Sequence, residues 1–379
     1  MGSGTKGRRR APLDRSPWWS KALIGLGSLM MVVSLGTVVY ARSLLNTVED
    51  SVERRDLLGD GDGEVSDLEG PLNLLILGND HREDNKDGDK VGRTDTILIM
   101  HINENLDSAA LVSFPRDLLV DIPYCGPSYE DGPCQSKLND AFPMAAEPSV
   151  SVDAGVQNLA ATLIDLTGLT RFDGAAMVKF DGFADLVDTF GTVELCLPFE
   201  MEVVHSKNET LPLGPNGRRL YPEGCNEYSR DDALAIVRER YAYGPETPGW
   251  TEEWGISDYG RQRMQQHFIK QLLKRAQEDG YMTDPTKVGP LVQELGKNVM
   301  IDIGGHSVTD YAVSLRNVNI GSMLTVKIPS EPATIGTTSY VVTQPGDQQF
   351  AADELYKALR DDTISQWAAK YPQWVNQND

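Results

Sequence analysis

The sequence predicts an α/β/α layered domain with a central mixed β-sheet, preceded by one transmembrane helix. Three observations carry that expectation. Apolar runs of strand length alternate with segments of helical periodicity, the pattern of helices covering a sheet. The composition, 40% hydrophobic and 24% charged, suits a globular chain of 379 residues. Ala22–Ala41 is a 20-residue run without a charge, and at ~1.5 Å per residue a helix of that length spans a bilayer core.

Along the chain, residues 1–21 form a basic tail. Lys6, Arg8, Arg9, Arg10, Arg15 and Lys21 stand there against Asp14 alone. By the positive-inside rule this places the N-terminus in the cytoplasm and everything after the anchor outside, a single-pass protein of the cell membrane. Trp18, Trp19 and Tyr40 sit where interfacial aromatics belong. A cleaved signal peptide is the weaker reading, because the apolar run is long and "VYA" is a poor small-x-small site. Residues 42–70, rich in Asp, Glu and Gly, read as an acidic linker, and residues 71–379 as one extracytoplasmic domain.

Within that domain, strand-like runs occur at Asn73–Leu77, Thr96–Ile102, Ala110–Phe114, Val193–Leu197, Leu324–Ile328 and Tyr340–Val342. Helical periodicity marks Val156–Leu166, Asp231–Val237, Tyr259–Gln277 and Ala351–Leu359. Cys125, Cys134, Cys196 and Cys225 are an even set beyond the anchor, and so read as disulfides. Three pairings exist. The nearest-neighbour one, Cys125–Cys134 with Cys196–Cys225, staples two polar loops and is preferred.

Charge and motif narrow the chemistry. A net charge of −21 argues against nucleic acid as a partner; any polyanion would need a local cluster of cations. There is no phosphate-binding Gly-rich loop, no His-Glu-x-x-His and no Gly-x-Ser-x-Gly. The five histidines are scattered, and His81, beside Asp80, is the one kept in view. Arg116 follows a strand. Arg238 and Arg240 follow a helical turn, and on extended chain their spacing of two would aim both at one face. Guanidinium forks match phosphate oxygens. In "DYGRQRMQQHF", Asp258 reads as an N-cap. Arg261 and Gln265 extend the apolar stripe to the helix N-terminus, where the dipole favours an anion. Arg263 reads as solvated. The charged stretch between Gly78 and Thr96 is a hydrated loop whose ends, Asp80 with Arg82 and Arg93 with Asp95, are held beside strands.

Taken in order, "NLLILGNDHR", "GRTDTILIMHIN", "LVSFPRDLLVDIP", "SKLNDAF", "VKFDGFADLVDTFGTVELCLP", "DDALAIVRER" and "DYGRQRMQQHF" resemble the LytR-CpsA-Psr family of bacterial cell-wall enzymes. The resemblance runs from about Pro71 to Gln277 and loosely to Leu359. It implies a phosphotransferase that moves a glycopolymer from a polyprenyl-pyrophosphate carrier to a peptidoglycan hydroxyl or a surface protein. It places the Mg2+-associated acids at Asp80 and Asp95. It places the pyrophosphate arginines at Arg93, Arg116, Arg238, Arg240 and Arg261, with Gln265 one turn on. Arg82, Lys137 and Asn139 are further expected substrate contacts. Three departures stand out: Met264 where the family pattern has a second arginine, Ser229-Arg230-Asp231 before the "AL" helix, and the Cys125–Cys134 segment, which looks inserted. A lipid-pyrophosphate phosphatase and a non-catalytic lipid-binding protein are the alternative functions. The lipid would also need an apolar groove, for which the Val156–Leu166 face is a candidate, though ordinary core explains it as well.

Overall fold

Long runs of β-branched and aliphatic residues form the strands, and their register decides where the polar ends meet. The computed structural model describes residues 53–59, 68–79, 91–127, 133–281, 287 and 298–376. The chain divides into residues 1–47 and 48–379, and every described residue belongs to the second unit. Ala22–Ala41 lies outside the described residues. Among these, no helix is long and apolar enough to cross a membrane.

In chain order the strands and helices begin with β1 (Glu53–Arg54), β2 (Leu72–Asn79), β3 (Thr94–Ile102), β4 (Ala109–Phe114), β5 (Leu119–Ile122) and β6 (Cys134–Lys137). Next come α1 (Ala141–Ser149), α2 (Val152–Thr167), β7 (Gly174–Lys179), α3 (Phe180–Phe190), β8 (Val193–Leu197) and β9 (Met201–Val203). After β10 (Arg219–Tyr221) and β11 (Gly224–Tyr228) follow α4 (Arg230–Arg238), α5 (Asp258–Glu278), β12 (Val299–Asp302) and α6 (Val308–Leu315). The last are β13 (Leu324–Lys327), β14 (Glu331–Ile335), β15 (Thr338–Val342), α7 (Asp347–Arg360) and α8 (Ile364–Lys370).

Seven strands make the central sheet in the order β1-β12-β7-β2-β3-β4-β13. Parallel pairs (β1 with β12, β2 with β7, β4 with β13) mix with antiparallel ones. Period-two alternation sorts each strand's side chains onto two faces. Leu75, Leu77, Ile97, Ile99, Val112 and Phe114 pack with α1, α2, α7 and α8 in one core. Leu98, Met100, Ile102 and Leu111 pack with Ile269 of α5 on the other face. A third cluster joins β8, β9, α3 and α4 to Met264, Phe268 and Leu272 of α5. The layering is therefore mixed α/β with helices on both faces.

Two expectations need amendment. The stretch read as linker reaches into the fold, because β1 pairs with β12 and Leu57 is fully buried in the first core. The Val156–Leu166 face is closed core rather than a lipid groove: Val156, Leu159 and Leu163 are fully buried against the sheet. Both disulfides pair as expected, but not between loops. Cys196 and Cys225 face one another across β8 and β11, and Cys134 opens β6.

Candidate functional site

The strand register collects charge at one end of the sheet. Asn79 of β2 pairs with Thr94 of β3 and Lys179 of β7, while Ile97 pairs with Phe114 of β4 and Ser113 with Lys327 of β13. The ends of five strands thus share one edge. Between the Gly78–Thr96 and Asn79–Thr94 pairs the register slips by one residue, and Asp95 is the unpaired one. A bulge of this kind re-aims a side chain. Here Thr94 and Thr96 are buried while Asp95 keeps 13% of its side chain exposed.

Arg116, two residues beyond β4, donates from Nη1 to Asp95 Oδ1 at 2.8 Å. Its Nε lies 3.7 Å from Asp258 Oδ1 and 3.9 Å from Asp117 Oδ2. Burial is the largest single influence on this guanidinium and opposes its charge. Asp95, Asp258 and Asp117 together outweigh it and hold the Arg116 pKa above the ordinary arginine value. Arg261, on the first turn of α5, lies 3.6 Å from Asp95 Oδ2 and 2.7 Å from Asp258 Oδ1. Two guanidinium groups therefore share two carboxylates. The hydrogen-bonding capacity is not used up: Arg261 Nη2 is taken by Asp258, but Arg116 Nε, Arg261 Nε and Gln265 Nε2 are buried without a hydrogen-bond partner. Gln265 Oε1 meanwhile accepts from Thr96 Oγ1 at 3.0 Å.

Lys137 and Asn139 join through the same turn. Lys137 Nζ is 3.0 Å from Asp117 Oδ1, and the backbone N–H of Asn139 donates to Arg116 O at 2.9 Å. Arg238 and Arg240 do not form the strand-like pair expected. Arg238 closes α4 in helical conformation, and the chain leaves the helix at Glu239 (φ −67°, ψ 137°). Their segment nevertheless docks on the start of α5. Ser257 N–H donates to Tyr243 O at 2.9 Å, and Gly260 lies hard against the Tyr243 ring. Arg93 is exposed one residue before β3. Asp80, His81 and Arg82 lie outside the described residues.

Other readings are corrected by the geometry. Asp258 is not the N-cap of α5 but its first residue, following Ser257, and its carboxylate serves Arg261 and accepts from Gln262 at 3.2 Å. Arg263 is not solvated: it is 5% exposed, its guanidinium sits 4.1 Å from the Trp254 ring centre, and it donates to Glu253 O. Of the histidines, His101 and His267 are buried and hydrogen-bonded. Asp117 and Asp258 are the site residues that sequence reasoning missed. Their partner Arg116 is distant in sequence from Asp258, and an acid at a helix start reads first as a cap.

Magnesium can be weighed against these donors. Among the described residues no group of three or more His, Cys, Asp or Glu could hold a metal. Magnesium asks for less, one or two carboxylates with phosphate and water oxygens completing the shell. Asp95 fits that demand, since its Oδ2 is held only loosely, 3.6 Å from Arg261.

The chain is 28% identical over 291 residues to the cell wall biosynthesis protein LcpA of Corynebacterium glutamicum, covering 71% of this chain and 51% of that one. It thus spans about half the length of this relative. It is 24% identical to the polyisoprenyl-teichoic acid–peptidoglycan teichoic acid transferase TagU of Halalkalibacterium halodurans, covering 75% of this chain and 80% of the relative. In fold it is similar to the crystal structure of B. subtilis TagV, with a TM-score of 0.56 at 18% identity over 78% of this chain and 98% of the other. It is also similar to TagT bound to LIIa-WTA, with a TM-score of 0.55 at 18% identity over 80% and 94%. The sequence model of the LytR_cpsA_psr family matches residues 39–355, and the chain belongs to that family.

Proposed function

We propose that this protein is a cell-envelope phosphotransferase, which moves a glycopolymer from a polyprenyl-pyrophosphate carrier to a peptidoglycan hydroxyl or a surface protein. The observation that carries this reading is the set of buried N–H groups on Arg116, Arg261 and Gln265 with no hydrogen-bond partner. Orphaned donors on two shared guanidinium groups suit the non-bridging oxygens of a pyrophosphate. The names of the curated relatives, a cell wall biosynthesis protein and a teichoic acid transferase, point the same way.

In this mechanism the acceptor hydroxyl oxygen attacks the phosphorus bearing the glycopolymer. The bond to the lipid phosphate breaks, and polyprenyl phosphate leaves with the electron pair. Negative charge grows on the leaving phosphate, and Arg116, Arg261, Arg238, Arg240 and Arg93 are assigned to meet it. An arginine in such a role is worth ~10³–10⁵ in rate. Asp95 or Asp80 receives the hydroxyl proton. Mg2+, held by these two aspartates, would supply positive charge that keeps the acids from repelling the substrate. Arg82, Lys137 and Asn139 are assigned to the substrate at the rim. Ala22–Ala41 would keep the domain beside the membrane that carries the lipid.

Purified full-length protein given a lipid-pyrophosphate glycan, with and without Mg2+ and acceptor, tests the reading. Transfer that needs acceptor and is lost in Arg261→Ala and Asp95→Ala supports it. Release of polymer to water in the presence of acceptor marks a phosphatase, and binding without turnover marks a carrier protein.

A further inference from the structure

An acid between two arginines assigned to an anion is an odd choice, and the geometry gives it a purpose. Glu239 separates Arg238 from Arg240 and is 1% exposed. Its carboxylate does not face solvent but collects backbone amides. Oε1 accepts from the N–H groups of Arg240 at 2.9 Å, Tyr241 at 2.6 Å and Ala242 at 3.2 Å. Oε2 accepts from Val204 N–H, just beyond β9, at 2.7 Å. Four amide dipoles therefore neutralise one buried charge, and one side chain ties the turn after α4 to a different strand.

The other end of the turn is fixed as well. Tyr243 O accepts from Ser257 N–H, and the Tyr243 ring presses on Gly260, next to Arg261. Arg240 lies between these two moorings. Its guanidinium reaches Tyr241 OH at 3.1 Å and sits 5.1 Å from that ring's centre. A long cationic side chain has many rotamers, and an anion site gains from any device that removes freedom from its backbone before binding.

We propose that Glu239 is a positioning residue for the pyrophosphate site, whose four backbone contacts fix the turn carrying Arg240 to the end of β9, while Tyr243 seats the same turn on the N-terminus of α5. The inference rests on the reading of Arg240 as a pyrophosphate contact. Glu239 touches no substrate; it acts through the backbone it holds. Glu239→Gln is the informative change, because it keeps the size but turns one acceptor oxygen into a donor. Either the turn amides or Val204 N–H then faces an NH2 group in a buried site.

The experiment is calorimetric titration of the full-length protein with inorganic pyrophosphate, at a temperature where thermal melts show each variant fully folded. Arg240→Ala tests the underlying reading and Glu239→Gln the inference. Both are expected to weaken binding, Glu239→Gln by about tenfold or more, since displacement of a binding group by ~1 Å can cost ~100-fold. If Arg240→Ala weakens binding and Glu239→Gln binds as the wild type does, Glu239 is merely structural and the inference is overturned while the reading of Arg240 stands. If Arg240→Ala binds normally, that reading falls and the inference with it. Should Glu239→Gln not fold, Glu239→Asp serves in its place: it keeps the charge but is one methylene too short to span Val204 and the turn. It is read by the same two outcomes.

Discussion

Gly260→Ala should destabilise the protein although it lies inside a helix, where the same exchange ordinarily gains ~1 kcal/mol. A Cβ at this position would stand 2.2 Å from Tyr243 Cγ, 2.4 Å from Cδ1 and 2.8 Å from Cβ. Carbon atoms rest at ~3.5–4.0 Å, so the helix or the ring must retreat by more than ~1 Å. Neither has room. Tyr243 is 3% exposed and packs edge-on against Phe199, itself 2% exposed, and its backbone is bonded to Ser257. Overpacking of this kind costs ~1–3 kcal/mol, and a contact this short belongs at the upper end. After subtracting the helix-propensity gain, the net loss is ~1–2 kcal/mol, a fall of ~1–3 °C in melting temperature for a chain of this size. The displacement falls between the turn bearing Arg240 and the turn bearing Arg261, so transfer should drop at least ~10-fold. Thermal melting and the lipid-pyrophosphate transfer assay read the two effects. A variant that melts at or above the wild-type temperature with full activity would refute the reasoning.

Other outcomes follow from single contacts. Asp95→Asn removes the charge shared by Arg116 and Arg261 and should cost ~1–3 kcal/mol, measured by urea unfolding, together with most of the transfer activity; retention of both would deny Asp95 its place. The disulfides close separations of 29 and 9 residues, worth ~3.6 and ~2.6 kcal/mol by loop entropy, so the Cys196→Ser, Cys225→Ser pair should melt lower than the Cys125→Ser, Cys134→Ser pair. Ser307 and Asp310 form a capping box at the start of α6. The Ser307 backbone N–H, then its hydroxyl, hold the Asp310 pKa below its ordinary value. A depressed carboxylate pKa stabilises above the unfolded value near ~4 and ceases to as pH falls through the folded one. Asp310→Asn should therefore be less stable than wild type at pH 7, by ~1 kcal/mol or less given its exposure, and the gap should close toward pH 3.

The parts of this fold that speak through local chemistry were legible in the chain. Leu72–Asn79 and Thr94–Ile102 are apolar runs, and their length alone makes them strands. The 3.6 periodicity of Phe268, Ile269 and Leu272 predicted α5 and the buried settings of Arg261 and Gln265. Helix α1 was not legible because Pro143 and Pro148 interrupt its pattern. It is held by packing: Phe142 and Ala146 lie so close to Gly155 of α2 that a Cβ there would stand within 2.6–2.8 Å of them. Strand β1 gives no apolar signal, since both of its residues are charged and exposed, and it joins the sheet by pairing with β12. The bulge at Asp95 is a matter of register between two strands, and no single segment contains that information.

Met264 illustrates how a departure from a family pattern can be resolved by geometry. The resemblance places an arginine there, and Arg263 is the obvious substitute. Successive helix residues differ by ~100° in direction, so neighbours on a helix do not share a face. Met264 is fully buried in the cluster with Phe268 and Leu272. Arg263 turns to Trp254 and Glu253 O, fixing the short turn that precedes α5. Burial first, and then the charge of Arg263, hold the Lys327 pKa below its ordinary value, which places the Arg263 charge toward the end of β13. Arg263 therefore braces the segment leading into the helix, and the contacts to Asp95 from α5 come from Arg261. If a second cation is to meet the substrate from this side, it is Arg240, carried on the turn that Tyr243 seats against Gly260.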